Sequence, residues 1–193
     1  MHGIFCLEGM WFGDHRDLYS VSPILDLVHR LGKIPFIHHR CGTYEEFEFS
    51  IKRWRVKSFH RKFPILNIAF HGDKGEFKVG KELVTLDDLA ELLGGKCEGC
   101  VIYFGSCDTM RVDRRLLQKF MEQTKIIAVL GYKSSVSWLQ SAAFEIQMLY
   151  HFSQENLDAK GLGKIKSSIF DDTKHLAKEL EFRMEINERT NFK

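Results

Sequence analysis

Two segments of the chain place a base and a nucleophile at the ends of apolar runs. Ile65-Leu66-Asn67-Ile68-Ala69-Phe70 leads into His71-Gly72, and Val101-Ile102-Tyr103-Phe104 leads into Gly105-Ser106-Cys107. An imidazole near a thiol is the minimum equipment for nucleophilic acyl transfer, because the imidazole can take the thiol proton and the resulting thiolate can attack a carbonyl. Gly72 adds to this: without a Cβ, its backbone can approach a substrate carbonyl, and its N–H and that of Cys107 would form an oxyanion hole. Ser106 and Asp108 flank the nucleophile and are expected at the substrate, although Asp108, like Asp73, could equally cap a helix or satisfy a loop.

Other cysteine chemistries are tested by spacing. A tyrosine-phosphatase loop needs arginine six positions after the cysteine, where Asp113 stands. A glutaminase or hydrolase elbow could begin at Gly105-Ser106-Cys107-Asp108, but Thr109 replaces its closing glycine and its histidine should follow the nucleophile, as His151 and His175 do. That amidase class is the alternative enzymatic reading. Cys97-Glu98-Gly99-Cys100 has zinc or redox spacing but no second ligand pair at matching distance, so it reads as structural. No metal and no organic cofactor is called for. One of His38 and His39, at the end of another apolar run, should face the site in a supporting role.

The elements that must position these residues follow from periodicity. Short apolar runs at Gly3 to Leu7, Ile34 to His38, Ile65 to Phe70, Cys100 to Phe104 and Ile126 to Leu130 alternate with helical patterns, which predicts an open, mostly parallel α/β sheet of five to six strands. Helix starts are expected at Ser22-Pro23, Thr43 with Glu46, Thr85 with Asp88, and Ser137 with Gln140. Phe77 to Val84 reads as a hairpin turning on Gly80-Lys81. In the helix from Ser137, Trp138, Ala142, Ile146 and Leu149 form an apolar stripe expected to pack on the sheet. Near the C-terminus a helix is expected over Asp172 to Leu180, then an edge strand at Phe182, Met184 and Ile186. If the His71 and Cys107 strands are neighbours, both residues meet at the C-terminal edge, where parallel sheets bind ligands.

Composition bounds the rest. With 193 residues and 44% hydrophobic content the chain supports one domain, 1–193, around one core. A net charge of +2 gives no field for nucleic acid or an anionic membrane, and no apolar run approaches the roughly 20 residues of a bilayer span. Five cysteines, an odd count, argue for free thiols in a reducing compartment, hence a cytoplasmic protein.

The order His-Gly, hairpin, small residue-Cys resembles the caspase-like, clan CD cysteine peptidases. Phe104-Gly105-Ser106-Cys107-Asp108-Thr109 is similar to the corresponding segment of the CHAT and separase-like branch, as is Val129-Leu130-Gly131 followed by Ser135-Val136-Ser137-Trp138. The likeness spans about Gly3 to Phe152. The separation, 107 − 71 = 36 residues, is shorter than in typical caspases, and Thr109 stands where caspases carry glycine, which favours a minimal CHAT-like member of a small bacterial family. The resemblance implies a caspase-like fold and a cysteine endopeptidase acting on a peptide or protein substrate. It further implies Arg40 as a pocket residue for an acidic side chain, and a role as a stress or phage-defence effector. With no room for a prodomain before the first strand, activation is expected from a ligand, a partner protein or dimerisation, the oligomeric state being open. A non-catalytic binding module on the same scaffold is the third reading.

Overall fold

The computed structural model of the chain describes residues 2–12 and 18–187. The first three strands are β1 (Ile4–Glu8), β2 (Phe36–Arg40) and β3 (Ile65–Ala69). A small antiparallel sheet follows, β4 (His71–Asp73), β5 (Glu76–Val79) and β6 (Glu82–Thr85), then β7 (Val101–Phe104), β8 (Ala128–Tyr132) and β9 (Phe182–Ile186). The main sheet has the order β2-β1-β3-β7-β8-β9 and is parallel except for the last pair, where β9 runs antiparallel to β8. The expected α/β class and mostly parallel sheet are therefore present, and β9 is the C-terminal edge strand. Strand β3 pairs directly with β7, from Ile65 opposite Val101 to Ile68 opposite Phe104.

Alternation along the strands divides the core into two layers. Phe5, Leu7, Leu66, Ile68, Ile102 and Phe104 meet the helices α2 (Tyr44–Trp54), α4 (Leu86–Leu93) and α5 (Arg114–Thr124), with the short α3 (Lys57–His60) beside them. Ile4, Cys6, Ala69, Tyr103 and Tyr132 meet α1 (Ser22–Gly32), α6 (Trp138–Gln154), α7 (Ala159–Asp172) and α8 (Lys174–Glu179). Thr43 with Glu46 and Thr85 with Asp88 both close reciprocal capping boxes, and Ser137 accepts from the Gln140 N–H. At α1 the cap position falls to Val21, which has no side-chain bond to give, and Pro23 fixes the first turn. Gly80 takes φ +60° at the β5–β6 turn, where a Cβ would lie 2.8 Å from the Gly42 carbonyl.

Three sequence expectations need correction. Strand β4 was not anticipated: His71 does not merely end β3 but starts a second sheet, since His71 pairs with Lys78. Helix α7 precedes the expected C-terminal helix, and Gly161 and Gly163 in its first turns hide it from propensity. Gly161 is required there, as a Cβ would meet the Asn156 carbonyl at 2.0 Å. The buried face of α6 is rotated from the expected stripe: Phe144, Glu145, Met148, Leu149 and Phe152 pack inward while Trp138, Ala142 and Ile146 are only partly buried. A carboxylate can occupy that inner face because two tyrosine hydroxyls wait for it.

Candidate functional site

The β3–β7 pairing brings the His71 and Cys107 turns into contact. A Cβ built on Gly72 would lie 2.4 Å from the Cys107 carbonyl and 2.4 Å from Thr109 Oγ1, so only glycine lets the two turns approach this closely. The cysteine turn is tied down on every side. Ser106 is fully buried, and its hydroxyl donates to the Ile68 carbonyl (3.1 Å) and accepts from the Phe70 N–H (3.2 Å), stapling the end of β7 to that of β3. That placement leaves it no surface for a substrate, contrary to expectation. Asp108 has φ +54°, donates its N–H to the Ser134 carbonyl, and accepts from Ser135 Oγ and Arg111, so its carboxylate satisfies the loop. Arg183 of β9 donates to the Met110 and Val112 carbonyls, fixing the chain beyond. Thr109 is buried and shares its hydroxyl between the Cys107 and Glu76 carbonyls.

Cys107 is the one partly exposed cysteine; Cys6, Cys41, Cys97 and Cys100 are buried. Its Sγ receives the Val136 N–H at 3.5 Å, and among the described residues its own backbone N–H has no hydrogen-bond partner. His71 is exposed, and its Nε2 is hydrogen-bonded to the Trp11 carbonyl. A carbonyl can only accept, so the neutral ring carries its proton on Nε2 and leaves the Nδ1 lone pair free. No hydrogen bond joins the imidazole to the thiol directly, but both line one cavity of about 210 Å³ with Trp11, Trp138, Gly105 and Glu145. A larger open groove, about 610 Å³, lies on the other side of Trp11 and His71 and is bounded by Phe12, Gly42, Lys78 and Gly80.

Behind this pair stands a polar cluster that the apolar pattern concealed. Glu8, fully buried at the end of β1, accepts from Trp11 Nε1 (2.7 Å), Ser20 Oγ (2.7 Å), the Val21 N–H (2.8 Å) and His38 Nε2 (2.6 Å). Burial alone would raise its pKa; the hydrogen bonds, that of His38 foremost, outweigh burial and hold it below the usual carboxylate value. Glu8 thus orients Trp11, whose carbonyl in turn orients His71. Of the two adjacent histidines, His38 bonds Glu8 and does not line the Cys107 cavity, while His39 is exposed. Arg40 points its Nε at Glu8 (3.6 Å) and donates to the Tyr19 carbonyl (2.8 Å); it is not among the residues lining the Cys107 cavity.

At the inner end of the cavity Glu145, 5% exposed, accepts from Tyr103 OH at 2.6 Å and Tyr132 OH at 3.3 Å, both through Oε1. Burial pushes its pKa up to about 7, the tyrosines pulling the other way and the charge of Glu8 adding to the rise. Sequence reasoning missed Glu8, Trp11 and Glu145. The signal available was an acidic residue ending an otherwise apolar strand and another set inside the apolar stripe of a helix.

His151 and His175 do not belong to this site. His151, further along α6, is not among the residues lining the Cys107 cavity and lies 3.1 Å from Asp172, and His175 borders a separate cleft with Asp172 and Gln147. Asp73 is exposed and accepts from the Lys74 N–H. Among the described residues no cluster of three or more metal-ligating side chains occurs, and no helix is long and apolar enough to cross a membrane. No curated protein matches the chain. The family model of DUF6642, a family of unknown function, matches residues 1–185, and the chain belongs to that family.

Proposed function

We propose that the protein is a cysteine endopeptidase of caspase-like type, with Cys107 as nucleophile and His71 as general base and acid. The observation that carries this reading is that the one partly exposed cysteine shares a cavity with a histidine whose tautomer is set by the Trp11 carbonyl. In the reaction His71 Nδ1 takes the Sγ proton, and the thiolate attacks the peptide carbonyl carbon. The unpartnered Cys107 N–H, with Gly72 beside it, faces the developing oxyanion. Collapse breaks the C–N bond as the imidazolium returns its proton to the leaving amine. Water, deprotonated by His71, then hydrolyses the thioester and restores the thiol. The open groove beyond Trp11 and His71 gives the flanking peptide a place to lie. The amidase alternative loses support because neither His151, on α6, nor His175, on α8, lines the Cys107 cavity.

His71→Asn tests the reading. Asparagine keeps a polar side chain at this exposed position but cannot carry a proton near neutral pH. Alkylation of Cys107 at pH 7 should fall about tenfold or more once no base stands beside it, while the melting temperature shifts little. A large drop in melting temperature with Cys107 alkylation unchanged would mean that the histidine is a packing contact, and the mechanism would have to be abandoned.

A further inference from the structure

We infer that the cavity beside Cys107 receives one cationic side chain, lysine or arginine, and that Glu145 is the charge that selects it. As a statement of substrate class this rests on the peptidase reading; as a statement about binding it rests on the cavity alone. The volume, about 210 Å³, is below the roughly 300–1,000 Å³ of pockets that take whole small molecules, so it fits a single side chain. Among the described residues no lysine or arginine lines it.

Two acceptor oxygens in and behind the cavity lack donors among the described residues. Both tyrosine hydroxyls bond Glu145 Oε1, and Oε2 has no hydrogen bond among the described residues. Behind Gly105, Asn67 is 3% exposed and its Oδ1 has no partner; it lies 3.1 Å from where a Gly105 Cβ would stand. Trp11 and Trp138 line the cavity and meet edge to face with centroids 4.7 Å apart, apolar surface against which the stem of a cationic side chain can pack.

The groups facing Glu145 reinforce the sign. Strands β7 and β8 present Tyr103 and Tyr132, and β1 presents Glu8 and Cys6. Cys107 and His71 lie across the cavity. Helix α1 brings Val21 and Ile24 to the lining, and α7 packs through Leu162, Ile165 and Ile169. Nothing in this set besides His71 can carry positive charge. A bound cation would therefore draw Glu145 into its ionised form, and selectivity should grow as pH rises through 7.

The test uses the full chain and peptidyl acyloxymethyl ketones that differ only in the residue next to the electrophile: lysine, arginine, uncharged norleucine, or aspartate. Cys107 alkylation is followed by intact mass, and rate ratios cancel the ionisation of the thiol itself. Lysine and arginine probes should outpace norleucine about 10- to 100-fold at pH 8, the ratio shrinking as pH falls through 7 and approaching one in Glu145→Gln. If that variant fails to fold, the pH dependence of the wild-type ratio decides. In parallel, butylguanidinium binding to Cys107→Ala is measured by calorimetry, which needs no chemistry. Equal rates for all probes, or aspartate fastest, together with no butylguanidinium binding, overturns the inference and leaves the peptidase reading intact. Glu145-dependent butylguanidinium binding with no probe reacting upholds the cation receptor and removes the peptidase.

Discussion

Strand β7 has a cysteine just before its first residue and another shortly past its last, and its two ends treat sulfur in opposite ways. At the N-terminal end Cys97 and Cys100 are 0% and 1% exposed, folded into the layer beneath α4 and α5. Their backbone is paired, Cys100 N–H to the Cys97 carbonyl and Cys97 N–H to the Thr124 carbonyl. Desolvation raises both thiols, that of Cys97 to about 12. At the C-terminal end Cys107 sits on a turn with a positive-φ neighbour, borders a cavity, and has an N–H with no partner among the described residues. Cys-x-x-Cys spacing therefore coincides with buried packing here, whereas position along the strand direction separates the partly exposed thiol from the buried ones. In a parallel sheet the loops diverge at the C-terminal edge and leave a crevice between them.

The largest effect expected from this contrast is in thiol labelling. At pH 8 a thiol with a pKa near 12 is ionised on the order of one part in ten thousand, and the folded core blocks access besides. Iodoacetamide should thus label native protein at Cys107, and Cys107→Ala should remove that label, whereas Cys97→Ala and Cys100→Ala should not change it. Peptide mapping after a brief reaction reads the outcome. Label found on Cys97 or Cys100 with Cys107 untouched would reverse the assignment of the two ends.

The contrast also shows what could be read without coordinates. The strand runs, both threonine capping boxes and the Gly80 turn were legible because each is a local signal written in neighbouring residues. So was the meeting of His71 with Cys107, because it needs only that two consecutive apolar strands be adjacent. The job of Ser106 was not legible: a serine beside a nucleophile looks like a substrate contact until β3 is placed within reach of its hydroxyl. Glu8 and Glu145 escaped for a related reason. Each is tolerable in an apolar environment only because distant residues supply donors, His38 and Trp11 for one, Tyr103 and Tyr132 for the other, and periodicity cannot show such pairings.

A smaller effect separates these two buried acids. Glu8 is held low and adds stability above its unfolded pKa, lost as pH falls through its folded value. Glu145 works the other way: its pKa is raised from 4.5 to about 7, so its stabilising contribution is present below pH 4.5 and lost as pH rises through 7. The full rise corresponds to about 3 kcal/mol. Glu145→Gln, neutral at every pH and still able to accept from Tyr103, should match the wild type near pH 4.5 and become the more stable protein by pH 8. Denaturation midpoints measured across that range give the difference curve, from which Glu8 cancels. A flat curve would show that Glu145 does not titrate in this window. A stability cost borne by an acid beside the reactive thiol is what a cation receptor requires, since the ligand then offsets it.

The smallest effect expected is at Arg40, where the resemblance to caspases implied a pocket for acidic side chains. Its guanidinium meets Glu8 at 3.6 Å and the Tyr19 carbonyl at 2.8 Å, and its side chain is 34% exposed. Glu8 already holds four shorter hydrogen bonds, from Trp11, Ser20, Val21 and His38. Losing Arg40 leaves no buried charge unpaired, so Arg40→Ala should cost about 1 kcal/mol or less, a fall of a few degrees at most in a chain this size. Trp11 should stay in place, and with it His71, so the alkylation rate of Cys107 should be nearly unchanged. The informative readout is selectivity. If Glu145 sets the charge of the pocket, removing Arg40 makes the site slightly more negative, and the preference for lysine over aspartate probes should hold or rise. A selective loss of reaction with the aspartate probe would instead place Arg40 at the substrate and give the pocket the opposite sign, with Glu145 reduced to an internal partner for two tyrosines.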